Sequence, residues 1–315
     1  MILLGFGGSG TTEPQIVLVF GSGLIGSSVT EALEKNGHLL REQIFSWNWP
    51  TPTNTQVRAI ESAFIDHIEQ RPDSQVTIVW AAGRSGFGSS EEDMAQEFQG
   101  FIGVQNLAQS LRQSSRPANV RFIHISSAGG LFEGQVACDQ NTLPQPIRAY
   151  GHGKLQQETA LTENSAIGHR LIIRPSSVFG YAPQGRLGLI SALISSSIQH
   201  REAMIFGGLS TQRDFIYAPD IGRYIAQQVF APRPEGEGLE KVLIASGRPA
   251  TVFEIIKTVE SVVGVPLYLK IDAQPENALN NTFRISALPS KFVPTPLRQG
   301  IEQTKSMMEA HSFGN

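Results

Sequence analysis

The sequence has little of what builds disulfide-stabilised, metal-binding or membrane-spanning proteins. Its 315 residues include a single cysteine, Cys138, which excludes an intrachain disulfide and a thiolate metal cluster. The seven histidines are scattered and show no short metal-ligand spacing, so we predict no bound metal. No stretch approaches the roughly 18 consecutive apolar residues of a spanning helix. We therefore predict a cytoplasmic protein that does not insert into a membrane.

A strong charge of either sign is also missing, because the formal net charge is only -3. Nothing in that balance steers the whole molecule toward nucleic acid or anionic lipid. We therefore predict a small-molecule ligand and no nucleic-acid partner. A hydrophobic content of 40% and a charged content of 17% are those of an ordinary folded domain. The length fits one large α/β domain, or a nucleotide-binding domain with a smaller lobe.

Short apolar runs alternate with helical patterns through the first 180 residues. The apolar runs cover residues 16–20, about 44–47, 76–80, 120–125 and 171–173. The helical patterns between and after them include residues 56–70, 94–113 and 150–163. Strands that alternate with helices imply right-handed crossovers. The sequence therefore predicts an α/β fold with a doubly wound, Rossmann-type parallel sheet.

The chain divides into three parts by composition. Residues 1–15 begin with an apolar run that is too short for a signal peptide and then become rich in Gly, Ser and Thr, so we predict a flexible leader. Residues 16–180 form the predicted dinucleotide-binding domain. Proline and glycine become denser after it, and residues 181–315 are predicted to form a smaller substrate-binding lobe. We expect the chain to cross back from this lobe to the first domain.

Three glycines follow the first strand of the predicted domain and open its first helix. In this position Gly21 allows a tight turn, Gly23 lets the backbone approach a pyrophosphate, and Gly26 lets helix and strand pack closely. The helix N-terminus adds free N–H groups and a partial positive charge. The turn therefore predicts a bound dinucleotide cofactor, NAD or NADP.

The residues that would distinguish NAD from NADP are uninformative. An NAD site usually has an acidic residue after the second strand, where it holds the ribose hydroxyls. The segment 45–49 contains no carboxylate, and it contains no arginine that would bind a 2′-phosphate either. Arg41 lies before the segment, on its near side. The sequence therefore does not decide between NAD and NADP.

Tyr150 and Lys154 are spaced i, i+4 on a predicted helix, so their side chains share a face. A free tyrosine has a pKa of about 10, and a cation within about 4–6 Å favours its phenolate. Such a pair is suited to moving a proton on a substrate hydroxyl or carbonyl while hydride moves to or from nicotinamide. A solvated surface helix can show the same spacing. Ser126 and Ser127, which end the preceding strand at the ligand-binding edge of the sheet, favour the catalytic interpretation.

In this order, the motifs resemble those of the extended short-chain dehydrogenase/reductase superfamily, the NAD-dependent epimerase/dehydratase family. The resemblance covers roughly residues 15–305. Besides the glycine turn and the Tyr150–Lys154 pair, it rests on segments 80–83, 124–128, 174–180 and 213–217. Their joint occurrence is far more specific than any one of them.

The resemblance implies a set of cofactor contacts. The pyrophosphate would be held by Gly21, Gly23, Leu24, Ile25 and Gly26. The residues along the cofactor would be Ala81, Ala82 and Gly83. The nicotinamide would be flanked by Pro175, Ser176 and Val178.

The resemblance also implies catalytic roles. Ser127 would hydrogen-bond the reacting oxygen, with Ser126 as the alternative. Tyr150 would be the acid/base, in contact with the cofactor, and Lys154 would bind the nicotinamide ribose. These assignments predict an oxidoreductase or epimerase that acts on a sugar carbon.

Arg213 is implied to bind the diphosphate of a nucleotide-sugar substrate. The alternative is a structural salt bridge from Arg213 to Asp214 or Asp220. The sequence does not decide the oligomeric state, and a homodimer is one alternative because relatives often pair through a two-helix face.

Two departures narrow the expected activity. Phe20 stands where many relatives have a further glycine, so the cofactor turn can differ in detail. Ala128 and Gly129 stand where the dehydratase branch carries its acidic residues, so we do not expect water elimination. An epimerase and an NADPH-dependent 4-ketosugar reductase both stay open, as does a cofactor-binding scaffold without turnover.

Overall fold

The computed structural model describes residues 1–7, 13–47, 54–70, 73–113, 120–183, 187–232, 237–272 and 274–313. Residues 8–12 of the predicted leader, Asn48 and Trp49 of the uninformative segment, and the side chain of Arg41 lie outside what it describes.

Strands form one large sheet and three small ones. In chain order the strands are β1 (Ile2–Gly7), β2 (Gln15–Phe20), β3 (His38–Ile44), β4 (Gln75–Trp80), β5 (Val120–Ile125), β6 (His169–Pro175), β7 (Ser177–Phe179), β8 (Ala203–Phe206), β9 (Gln212–Arg213), β10 (Phe215–Tyr217), β11 (Gly238–Ile244), β12 (Ala250–Thr251) and β13 (Leu269–Asp272). The large sheet has the order β11-β6-β5-β4-β2-β1-β3. Strand β1 is antiparallel to both of its neighbours, and the other neighbouring pairs are parallel.

Helices cover both faces of the large sheet. They are α1 (Leu24–Asn36), α2 (Asn54–Gln70), α3 (Glu91–Gln113), α4 (Ala128–Leu131), α5 (Ala149–Glu163), α6 (Leu189–Ile198), α7 (Ala218–Phe230), α8 (Val252–Val263) and α9 (Leu297–Phe313). Alternate residues of β2 point to opposite faces. Leu18 joins the core beneath α2, α3 and α5, whereas Val17 and Val19 join the core beneath α1 and α7. The prediction of a doubly wound Rossmann-type sheet is confirmed.

Strand β1 shows that the prediction of a flexible leader over residues 1–15 is wrong for residues 2–7. It lies between β2 and β3 and is hydrogen-bonded to both. Leu3, Leu4 and Phe6 are fully buried. The apolar run is too short for a signal peptide but long enough for a strand, because a strand needs only about five or six residues. Pairing on both sides satisfies its backbone groups, and its apolar side chains fill the two cores.

The strand predicted at residues 44–47 lies earlier in the chain in the structure, as β3 (His38–Ile44). As the edge strand, β3 needs only one partner, so its polar centre is tolerated and Ile44 is 73% exposed. Because β1 lies between β2 and β3, β3 is one strand position, about 4.8 Å, further from β2 than it would be if the two strands paired directly. The segment that follows β3 therefore begins two strand positions from the glycine turn.

The second half of the chain builds its own core and also returns to the first. Helices α6, α8 and α9 pack together through apolar residues that include Leu193, Val259 and Ile301. The return is made by α7, which packs against α1, and by β11, which pairs with β6. No helix within the described ranges is both long and apolar enough to cross a membrane.

Candidate active site

The glycine turn lies in backbone contact with the end of β4. Gly21 has a φ of +106°, which favours glycine, and a Cβ there would lie 2.8 Å from Ala82 Cα. The Ala81 N–H donates to the Phe20 carbonyl at 2.8 Å. The structure thus brings the predicted segments 21–26 and 81–83 together at the carboxyl edge of the sheet.

The N-terminus of α1 is open to a ligand. Gly23 is its N-cap and supplies no side-chain hydrogen bond, and the first turn has no acidic residue. A Cβ on Gly23 would meet nothing within 4 Å. By contrast, Thr251 and Glu254 form a complete capping box on α8. The first N–H groups of α1 can therefore be satisfied by an anion.

Helix α5 carries Tyr150 and Lys154 on one face, and α4 lies directly against it. The Lys154 ammonium is 5.9 Å from the centroid of the Tyr150 ring. A Cβ on Gly130 would lie 2.8 Å from Tyr150 Cδ1, and one on Gly151 would lie 3.0 Å from the Gly130 carbonyl carbon. Only glycine at both positions lets the two helices approach this closely, and that approach fixes the Tyr150 ring.

Lys154 forms a buried ion pair that the sequence did not predict. Its ammonium donates to Glu97 Oε1 at 2.8 Å and to Gln157 Oε1 at 3.2 Å. Glu97 also accepts hydrogen bonds from the Gln157 amide at 3.0 Å and the Ser85 N–H at 3.0 Å. Burial favours the neutral carboxyl, but the Lys154 charge and these hydrogen bonds outweigh it and lower the pKa of Glu97 to about 2.

Two further residues surround the ion pair. A Cβ on Gly83 would lie 3.1 Å from Lys154 Nζ, so the backbone of the predicted cofactor segment passes directly over the ammonium. His124 is fully buried beside the pair, and burial together with the Lys154 charge holds the pKa of its imidazole well below the usual value. His124 is therefore neutral and adds no positive charge beside Lys154.

The two serines at the end of β5 have different partners. The Ser126 hydroxyl donates to Glu158 Oε1 at 2.6 Å, and Glu158 also accepts two hydrogen bonds from Arg174. Ser127 instead caps α4, where its hydroxyl oxygen accepts from the Gly130 N–H at 3.1 Å. Ser127 is therefore fixed beside the Tyr150 helix with an O–H that can donate, whereas the Ser126 hydrogen is already used.

The predicted nicotinamide neighbours lie where β6 ends and β7 begins. Pro175 is the last residue of β6, and Val178 pairs with Ile216 in the parallel β7–β10 sheet. The Ser176 hydroxyl donates to Asp214 Oδ1 at 2.7 Å. The Ser176 side chain thus faces the buried Asp214 and ties β6 to the segment that carries Arg213.

Arg213 has neither of the ion pairs that the structural alternative requires. Asp214 accepts hydrogen bonds from Ser176 and the Ser246 N–H, and Asp220 pairs with Arg223. Arg213 itself donates to the Asn277 carbonyl at 3.3 Å. Within the described ranges, no carboxylate lies at salt-bridge distance from Arg213, and burial lowers the pKa of its guanidinium.

Arg148 and Phe87 complete this side of the site, and the sequence did not single them out. Arg148, the N-cap residue of α5, donates from Nε to both Glu133 carboxylate oxygens at 2.9 and 3.1 Å. The guanidinium carbons of Arg148 and Arg213 lie 5.5 and 5.4 Å from the centroid of the Phe87 ring. The only sequence signal was the position of Arg148, two residues before Tyr150. Phe87 lies in a glycine-rich loop that gave none.

Comparison with known sequences identifies a family and one curated relative. A model of the NAD dependent epimerase/dehydratase family matches residues 17–237. A protein of Methanocaldococcus jannaschii named as a putative UDP-glucose 4-epimerase is 26% identical over 221 residues, which are 66% of this chain and 71% of that protein.

Solved structures share the fold at low sequence identity. The UDP-glucose 4-epimerase of Thermus thermophilus, in complex with NAD, superposes with a TM-score of 0.72 at 17% identity, over 94% of this chain and 99% of that one. The UDP-glucuronic acid 4-epimerase of Bacillus cereus, in complex with UDP-glucuronic acid and NAD, gives 0.68 at 22% identity with the same coverage. At this identity the likeness establishes the fold.

Proposed function

Because the chain belongs to the NAD dependent epimerase/dehydratase family, we propose that it is a nicotinamide-dependent enzyme that epimerises a carbon of a nucleotide-linked sugar. The observation that carries the proposal is one continuous edge that holds an uncapped glycine turn, an oriented Ser127 and the Tyr150–Lys154 pair. The names of the Methanocaldococcus jannaschii relative and of the two structural neighbours support a 4-epimerase of a UDP-linked sugar.

The residues at the carboxyl edge fit a nicotinamide dinucleotide. The open N-terminus of α1 would hold the pyrophosphate, with the backbone of Gly23 close to it. Gly83 and Lys154 lie together further along the edge, where Lys154 would bind the nicotinamide ribose. Residues 45–47 include no carboxylate or arginine. The site for the adenosine end of the cofactor is therefore compatible with both NAD and NADP.

The chain's own residues would handle the proton and the charge. A bound nicotinamide would supply the chemistry of hydride transfer, from the sugar carbon and back to its opposite face. Tyr150 would take the hydroxyl proton from that carbon and later give it back. Ser127 would donate a hydrogen bond to the reacting oxygen, and the Lys154 charge would stabilise the negative charge that develops beside it.

Arg213 would bind the diphosphate of the substrate. Arg213 is half-buried and lies over Phe87, which contacts Tyr150. Among the described residues no carboxylate lies within salt-bridge distance of its guanidinium, and Glu133, which attracts it from further away, is already paired with Arg148. A guanidinium in that state forms strong, charge-assisted hydrogen bonds with phosphate oxygens. This supports a nucleotide-sugar over a free sugar as the substrate.

The proposal is tested by following UDP-glucose with the purified protein in the presence of NAD by proton NMR. We expect UDP-galactose to form without net consumption of NAD. Stoichiometric oxidation of NADPH by a 4-keto UDP-sugar, without epimerisation, would show a reductase instead. Binding of NAD with no turnover in either assay would show a scaffold, and both results would overturn the proposal.

A further inference from the structure

Phe87 stands at the centre of the candidate active site, although no motif includes it. It lies on the loop between β4 and α3 and is half-buried. Its ring centroid is 5.7 Å from that of Tyr150, with the planes tilted by 49°. A Cβ on Gly129 would lie 3.5 Å from Phe87 Cζ. The ring therefore contacts the acid/base helix and lies above the turn that follows Ser127.

The loop and the two arginines hold the ring in this place. Gly86 and Ser89 close a tight turn around Phe87, with hydrogen bonds of 2.9 Å between backbone groups and 3.0 Å to the Ser89 hydroxyl. Arg148 and Arg213 both lie over the ring, in positions suited to cation–π attraction.

Each arginine is itself anchored. Arg148 is fixed by Glu133 and by Asn277 Oδ1 at 3.1 Å, and Arg213 donates to the Asn277 carbonyl. Burial raises the pKa of the Glu133 carboxyl, whereas the charges of both arginines oppose that rise. The ring is thus flanked by two side chains that have fixed partners of their own.

The ring borders the space that a nucleotide-sugar would have to span, because it contacts both Tyr150 and Arg213. If Arg213 binds the diphosphate and Tyr150 exchanges a proton with the sugar, the sugar must lie between these two groups. Phe87 contacts both. The sugar would therefore pack against the Phe87 ring, and the ring would take up space that a larger sugar needs.

We propose that Phe87 is a specificity-determining residue, whose ring limits the size of the substituents on the sugar. The inference rests on the proposed function. A pocket wall discriminates substrates by excluding volume, and a change of even one methylene is worth about 10–200-fold in the ratio of kcat/KM values. Removal of a whole phenyl ring should exceed the lower end of that range.

The experiment compares Phe87→Ala with the wild-type enzyme on three substrates. These are UDP-glucose, UDP-glucuronic acid and UDP-N-acetylglucosamine, of which the last two carry larger groups at C5 and C2. We expect kcat/KM for at least one of the larger substrates, divided by that for UDP-glucose, to rise about tenfold or more. Phe253→Ala is the matched control, because Phe253 is also a partly exposed phenylalanine beside a cation, Lys257, but lies on α8. Its ratios should stay unchanged.

A ratio is insensitive to partial unfolding, which lowers all three rates equally. Phe87→Leu provides a second variant if Phe87→Ala does not fold, since leucine keeps apolar packing but lacks the ring. Wild-type turnover combined with unchanged ratios in the folded variant would overturn the specificity role and leave the proposed function intact. Absence of wild-type turnover on all three UDP-sugars would overturn the proposed function, and this inference with it.

Discussion

Replacement of Glu97 by glutamine would isolate the charge that holds Lys154. The two side chains have nearly the same shape, so Glu97→Gln keeps the packing of α3 against α5 and can keep the hydrogen bond from Ser85. The substitution removes the negative charge 2.8 Å from the Lys154 ammonium. The Lys154 and Glu97 side chains are only 4% and 5% exposed, so water cannot replace the lost partner.

The structure gives the size of the effect in two ways. Loss of one partner of a buried ion pair typically costs about 3–5 kcal/mol, because the other charge is left buried. The pKa of Glu97 also falls from its ordinary value of 4.5 to about 2, and at about 1.4 kcal/mol per pH unit this difference corresponds to about 3 kcal/mol. We therefore expect Glu97→Gln to lower the free energy of unfolding by about 3 kcal/mol at pH 7.

The same ion pair sets a pH dependence with a definite sign. A carboxyl whose pKa is lowered by folding contributes stability above its unfolded pKa and loses it as the pH falls through its folded pKa. For Glu97 that window extends from about 4.5 down to about 2. The stability difference between wild type and Glu97→Gln should therefore be constant above about pH 5 and narrow toward pH 3.

Urea unfolding, followed by circular dichroism at a series of pH values, measures both quantities. Glu92→Gln is the matched control, since Glu92 lies on the same helix but is exposed, and surface substitutions usually stay within about 0.5 kcal/mol. A Glu97→Gln variant as stable as this control at pH 7 would refute the ion-pair argument. A difference that does not narrow in acid would refute the assigned pKa.

Three further substitutions test separate parts of the site. Gly23→Val should abolish NAD binding in a fluorescence titration while circular dichroism stays native, because its side chain meets only open space in the protein. Gly238→Val, where the space is also open, should bind NAD normally, and equal affinities in the two variants would contradict the pyrophosphate site. Arg213→Ala should raise KM for UDP-glucose about tenfold or more through lost charge-assisted hydrogen bonds, with the dissociation constant of NAD unchanged. An unchanged KM would remove the diphosphate contact. Gly130→Ala should push the Tyr150 ring out of place, since the new Cβ would lie 2.8 Å from Cδ1, and steady-state kinetics should show kcat reduced by about 10²-fold; wild-type kcat would mean that the ring position is uncritical.

Local sequence patterns were sufficient for the frame of the site. The alternation of strands and helices predicted the doubly wound sheet, because each element is specified by its own hydrophobic period. The glycine turn and the i, i+4 pair could be placed because both depend on residues a few positions apart. Once the strand order is parallel, all of these motifs must meet at the carboxyl edge.

Contacts between distant segments escaped the same reasoning. Strand β1 lies inside the sheet because residues 38–44, which follow α1 in the chain, pair with it. The sequence of a short apolar run does not indicate which segment will pair with it. Glu97 reaches Lys154 across 57 positions of sequence. Phe87 is placed by arginines from two other elements. In each case tertiary packing decides the role, and no spacing rule encodes it.

The central claim is that Tyr150 exchanges the proton of the reacting sugar hydroxyl. The most direct measurement is kcat for the epimerisation of UDP-glucose by Tyr150→Phe, which removes only the phenol oxygen. Tyr268→Phe, at a residue that is 70% exposed on the surface, controls for the chemical change. We predict a fall in kcat of about 10²–10⁴-fold for Tyr150→Phe, with NAD affinity and circular dichroism unchanged, and no fall for Tyr268→Phe. A kcat close to that of wild type in Tyr150→Phe would contradict the claim.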